Sequence, residues 1–217
     1  MRPVFKSDEI PQSEGWGILC FLALIEFISY LILFANEGDI FPSLSIELLA
    51  LLVKIPVYST ILVFCAIRFG RIDRLELVPN RRDALILLAA LMIEFWVFGL
   101  LVGPERFKTP LHESIKDLST GQYYIAILAI VVFIPLGEEI VFRRYFLEIQ
   151  RQHYSTGISI LLTATAGTLF HFEWSWPPLL WHFCQEAFLS SVYVKSRLGA
   201  SVLVHAFINA LVLFLSR

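Results

Sequence analysis

A chain of 217 residues is long enough for one soluble domain or for several short membrane crossings. Apolar residues make up 57% of it and charged residues only 17%, with a mean hydropathy of +0.72. A soluble domain carries roughly 25% charged residues, so composition argues against one. A net charge of −2 and the lack of any basic tract exclude a nucleic-acid partner.

The N-terminal stretch holds Arg2, Lys6, Asp8, Glu9 and Glu14, and the first apolar block begins near Trp16. That block, about twenty residues, is too long for a usual signal-peptide core, and no A-x-A-like site follows it, so it is expected to remain as a span. In chain order the candidate spans are 16–35, 44–69, 83–103, 122–149, 156–174, 177–195 and 198–215. Each approaches the ~20 residues that carry a helix across ~30 Å of hydrocarbon. The second and fourth are longer, which calls for tilt or a projecting end. Backbone polar groups in lipid must pair within their own segment, so the spans are helices. The expected fold is all-α, a polytopic transmembrane helix bundle of about seven spans in a single domain, 1–217. Cys20, Cys65 and Cys184 lie in apolar blocks without CxxC spacing and read as small apolar fillers.

Basic residues set the orientation. With the N-terminus in the cytoplasm, the cytoplasmic segments hold Arg2, Lys6, Arg68, Arg71, Arg74, Arg81, Arg82, Arg143, Arg144, Arg151, Lys195 and Arg197. The opposite side holds Arg106, Lys108, Lys116 and Arg217, and Lys54 falls within a span. Twelve against four follows the positive-inside bias and, with an odd number of spans, places the C-terminus outside. The longest loop, 103–121, reads as a solvated connector, with a substrate-contacting lid as the lesser alternative.

Ionisable residues inside spans are costly and face a bundle interior or a cavity. Glu26, Lys54 and Glu94 are scattered through the first three spans and fit structural pairing between helices. A denser group occupies the later spans. The fourth contains Pro135, Gly137, Glu138, Glu139 and Arg143, the fifth ends near Phe170 and His171, and the seventh contains His205 and Asn209. Glu139 precedes Arg143 by four residues, the favourable order for an ion pair on one helical face. Glu138 is turned about 100° away from it, so Glu139 is the anchored carboxylate and Glu138 the freer one. His205 and Asn209, also four apart, present an imidazole and an amide to one space. This set fits hydrolysis without a metal. Glu138 would take a proton from water and return it to a leaving amine, and His171 would position that water. His205 and Asn209 would donate hydrogen bonds to the oxyanion. The competing reading is a buried structural network.

The sequence Glu138-Glu139-x-x-x-Arg143, followed by His171 and then by His205-x-x-x-Asn209, resembles the CAAX-protease and bacteriocin-processing (CPBP) family of intramembrane glutamic endopeptidases. The similarity covers the second half of the chain, a protease-like core at 122–215. It implies a site recessed among transmembrane helices, with Glu138 as the water-activating glutamate, His171 as its partner and His205 with Asn209 as the oxyanion pair. Glu139 and Arg143 complete the first motif. The resemblance also implies an integral membrane location, taken here as a prokaryotic inner or cell membrane. The partners are then the lipid bilayer and a peptide or protein substrate with a hydrophobic or lipidated segment: a prenylated CAAX end, a bacteriocin-type peptide or a C-terminal sorting segment. No cofactor and no metal is called for. Two positions depart from the pattern. Gly167 stands where the family often has Phe four residues before the histidine, and Arg144 where glycine is common. Both bear on substrate preference more than on the reacting groups.

Rival chemistries lack parts. His112-Glu113 is followed by no second histidine, so the H-E-x-x-H zinc motif is missing. No serine stands in a G-x-S-G setting, and no aspartate pair lies within the spans. His182 and Glu186, four apart on the sixth span, would bind a metal with His171 only as a minority reading, because such sites want three or four ligands. The rival from another class is a non-catalytic transporter or immunity scaffold, against which the absence of a visible repeat weighs. Depth poses a geometric demand. Glu138 and His171 lie roughly 17–23 Å from the cytoplasmic ends of their helices and His205 only about 10 Å, so they meet only through tilt or a projecting fourth helix.

Overall fold

The computed structural model describes residues 120–171 and 178–215, with Trp176 and a few isolated positions before residue 90. The first three expected spans, with Glu26, Lys54 and Glu94, and nearly all of the 103–121 loop lie outside the described residues. Every described element is helical, and there is no strand among the described residues.

The first element, α1, runs without a break over 120–153 but changes its winding. α-Helical Thr120–Leu128 passes into a π-helical turn at Ala129–Phe133, returns to α at Ile134–Glu138, widens again to π over Glu139–Leu147 and closes as α at Glu148–His153. The first widening has a local cause. Pro135 cannot donate a backbone hydrogen bond and its ring crowds the preceding turn. The turn opens so that Ile134 N–H reaches back five residues to the carbonyl of Ala129.

The helices α2 (Thr156–Phe170), α3 (Pro178–Ser196) and α4 (Leu198–Leu215) follow, close to the expected 156–174, 177–195 and 198–215. Tyr154 and Ser155 are extended, and Ser155 starts α2 by accepting the Ser159 backbone N–H at 2.9 Å. A single residue, Arg197, joins α3 to α4 in a left-handed conformation with φ 91°. Its N–H closes α3 onto the Tyr193 carbonyl at 2.9 Å. Among the described residues one helix, Tyr123–His153, is long and apolar enough to cross a membrane, and Thr156–Phe170 and Leu198–Leu213 are shorter apolar helices. In α3 the apolar run is diluted by His182, Gln185 and Glu186.

The C-terminal half of α1 is the central post. Ile140, Val141, Phe142, Tyr145, Phe146, Leu147 and Ile149 are all buried and pack with Ala166 of α2, Tyr193 of α3 and Leu198 of α4. Glu139, Arg143 and Glu148 are buried along the same stretch, so this half of α1 is covered on nearly every side, as a helix at the centre of a bundle is. A second core joins Leu189 and Val192 of α3 to Ala200, Val204 and Ile208 of α4. The hydroxyls of these helices turn inward on their own backbones: Thr163 Oγ1 donates to Ser159 O at 2.8 Å, Thr168 Oγ1 to Ala164 O at 2.7 Å and Ser190 Oγ to Glu186 O at 2.8 Å. They fill buried positions without needing a partner from another helix.

Candidate active site

The charged residues of α1 meet side chains from α3 and α4 at the middle of the bundle. Glu139 and Arg143 form the expected pair, with Oε1 3.0 Å from Nη1 and both side chains fully buried. The guanidinium has a second carboxylate, however. Arg143 Nη2 donates to Glu186 Oε2 at 2.8 Å and lies 3.3 Å from the Glu186 carbonyl. Removal of Glu139 therefore does not leave Arg143 alone, which corrects the simple two-residue picture.

From α4, His205 comes edge-on between the two adjacent acids. Nδ1 is 2.9 Å from Glu139 Oε1, and Nε2 is 3.5 Å from Glu138 Oε2. A ring facing a carboxylate at each nitrogen satisfies both only when both nitrogens carry hydrogen. The two glutamates differ in access. The Glu139 side chain is fully buried, whereas Glu138 keeps 10% of its side-chain surface exposed. The rotation between consecutive helical residues sends one carboxylate into the ion-pair network and leaves the other at its margin.

The contact between His205 and Glu139 brings this pair together despite their different distances from the ends of their helices. Fourteen residues separate Glu139 from the end of α1 at His153, and seven separate His205 from the start of α4 at Leu198. α1 therefore continues further from this contact to its end than α4 does to its start.

His171 caps the C-terminal end of α2, its N–H donating to Thr168 O at 3.1 Å. Its side chain is 30% exposed, and its Nε2 stands 3.8 Å from Glu186 Oε1, so it joins the cluster by way of Glu186. Its ring lies flat on that of His182, with centroids 4.0 Å apart and planes 13° from parallel. The in-plane lone pairs of stacked imidazoles run side by side instead of converging on one ion. Among the described residues no group of three or more His, Cys, Asp or Glu is arranged to hold a metal.

Asn209, one turn beyond His205 on α4, donates from Nδ2 to the carbonyl of Ile130 at 2.9 Å. In the π register of this turn that carbonyl would have accepted the N–H of residue 135, which proline lacks. Asn209 thus fills the gap opened by Pro135, and its amide has a second hydrogen.

The residue that sequence reasoning passed over is Glu186, considered only as a minor metal ligand. Two signals pointed to it: an acid four residues after His182 in a largely apolar span, and glycine at 167 where Phe was expected. The signals are one fact. A Cβ at position 167 would run into the Glu186 carboxylate, so the small residue on α2 makes room for the acid on α3.

Comparison with known proteins agrees with the motif resemblance. Residues 120–211 match the family model described as type II CAAX prenyl endopeptidase Rce1-like. No curated protein and no solved structure matches the chain.

Proposed function

Since residues 120–211 carry an Rce1-like domain, we propose that the chain is an intramembrane endopeptidase of glutamic type. It would hydrolyse a peptide bond near the membrane surface in a substrate with a hydrophobic or lipidated C-terminal segment. The whole chain, 1–217, is taken as one transmembrane domain around the core at 122–215. The observation that carries the reading is the contrast between the acids: Glu139 is locked between Arg143 and His205, while Glu138 lies against the same histidine and keeps access to the outside.

In this reading Glu138 takes a proton from a water molecule that His171 orients, as the water oxygen bonds to the scissile carbonyl carbon. The carbonyl oxygen gains negative charge and is met by the Nε2–H of His205, whose contact with Glu138 is long at 3.5 Å, and by the second amide hydrogen of Asn209. When the tetrahedral intermediate collapses, the C–N bond breaks and Glu138 returns the proton to the departing amine. Arg143 and Glu139 hold the site together, and no step calls for a metal. The CAAX prenyl endopeptidase name of the matched family makes a farnesylated CAAX peptide the first substrate to try.

The test uses the purified chain in detergent with that peptide and with an unlipidated hydrophobic peptide. Glu138→Gln is expected to lower the single-turnover rate by ~100-fold or more, as for a lost general base, with its melting temperature equal to or above that of the parent. A chelator should leave the parent rate unchanged. Near-parental turnover by Glu138→Gln would sink the assignment, as would loss of activity on chelation with recovery on adding zinc.

A further inference from the structure

We propose that His182 and Glu186, one turn apart on α3, are positioning residues that hold the imidazole of His171 by its face and by its edge. The inference rests on the reading of His171 as the group that orients the attacking water.

His171 needs such support because of its place in the fold. It is the residue just past the end of α2, and its side chain is 30% exposed. Water orientation tolerates little freedom, since a displacement of about 1 Å at a reacting group can cost ~100-fold in rate. The neighbouring helix supplies the restraint. His182 lies flat against the ring at 4.0 Å, and Glu186 Oε1 faces Nε2 at 3.8 Å, an ion-pair distance. Residues four apart share a helical face, so both reach α2 together. The holder is itself anchored: Arg143 binds the other oxygen of Glu186 at 2.8 Å, and Gly167 leaves the space in which the carboxylate lies. A line of contact therefore runs from Arg143 on α1 through Glu186 on α3 to His171 on α2.

The measurement is made on the full chain with ¹⁵N-labelled imidazoles, the His171 signals being assigned by their loss in His171→Gln. The variants are Glu186→Gln, His182→Ala and His182→Phe, the last restoring a flat ring. The ring nitrogen signals of His171 are expected to move in Glu186→Gln and His182→Ala and to stay near the parental position in His182→Phe. On farnesylated CAAX peptide, His182→Ala should lose ~10-fold to ~100-fold in single-turnover rate, the range for residues that orient a reacting group. His182→Phe should recover most of that loss. The proposal is overturned if the His171 signals are the same in parent and variants, or if they move while the rate does not. The histidine-182 pair keeps the test decisive should Glu186→Gln fail to fold. If the parent cleaves neither peptide, or Glu138→Gln is fully active, the peptidase reading fails while the nitrogen signals still judge the positioning.

Discussion

Glu139 and Glu148 stand nine residues apart on α1 and are both buried, yet they are held in different ways. Glu148 takes its cation from the next turn of its own helix, with Arg151 Nη1 2.6 Å from Oε1 and the arginine at the edge of solvent, and the Tyr193 hydroxyl of α3 lies beside it. Glu139 shares Arg143 with Glu186, which is 43 residues further along the chain, and touches His205, 66 residues away from it. A pair within one turn can form as soon as the helix does and is compatible with many packings. A cluster drawn from three helices exists only in one packing, and its desolvation is offset only if every member arrives. The first arrangement stabilises a helix end. The second, where the motif residues converge, is where perturbed chemistry is to be sought.

Four substitutions sharpen or break this contrast. The largest effect is expected from Arg143→Leu, which leaves Glu139 and Glu186 buried without their shared cation. Breaking such a pair costs ~3–5 kcal/mol, to be read as a large drop in melting temperature in detergent or as failure to accumulate folded protein. A variant that melts normally would show that the cluster is not the knot of the fold. Next comes Glu139→Gln. Because Glu186 still neutralises Arg143, the loss should be about 1–3 kcal/mol, the range for a buried group deprived of one partner. Turnover should also fall, since His205 loses its closest carboxylate. A melting loss as large as that of Arg143→Leu would mean that Glu186 does not share the load. Glu148→Gln should cost about 1–3 kcal/mol at most, toward the lower end of the range for a buried group deprived of one partner, and leave single-turnover rates as they were; a slowed reaction would erase the distinction between the two clusters. The smallest effect is at the α3–α4 junction. Arg197 is held at φ 91°, a conformation that costs a side-chain-bearing residue ~1–2 kcal/mol. Part of this returns on Arg197→Gly, less the added freedom of glycine in the unfolded chain. A rise in melting temperature of a few degrees or less is expected, and a fall would show that the arginine side chain matters more to this turn than its backbone strain.

Much of the second half of the chain could be read in advance because its information is one-dimensional. Long apolar runs interrupted at Tyr154-Ser155 and at Arg197 mark helices, and spacing by four places Glu139 with Arg143 on any helix. The expected 156–174 ran past Phe170, where α2 ends, and 122–149 stopped short of His153. Both errors are at polar ends, where hydrophobicity no longer distinguishes helix from connector. The π-helical stretches were not read: Pro135 marks a disturbed turn without saying how the chain winds around it, and no residue type announces the second stretch. Nor was the part played by Glu186: a lone acid in a span announces a partner without saying which, and Arg143 had already been assigned one. The meeting of Glu138 with His205 follows from the offset of two helices along their axes, which no spacing within either helix encodes. The expected first three spans lie outside the described residues.

Pro135 contributes to this site by withholding something. Any other residue there would offer its own backbone N–H to the carbonyl of Ile130, in competition with the amide of Asn209 that binds it at 2.9 Å. The missing hydrogen thus makes the claim of α4 on α1 exclusive. Proline on one helix and asparagine on the other behave as a lock and its only key, fixing how far one helix can slide along its neighbour. In the proposed reaction the same amide would answer to two masters, the backbone that locates it and the carbonyl oxygen brought before its remaining hydrogen, so that one side chain would set both the grip between the helices and the grip on the substrate.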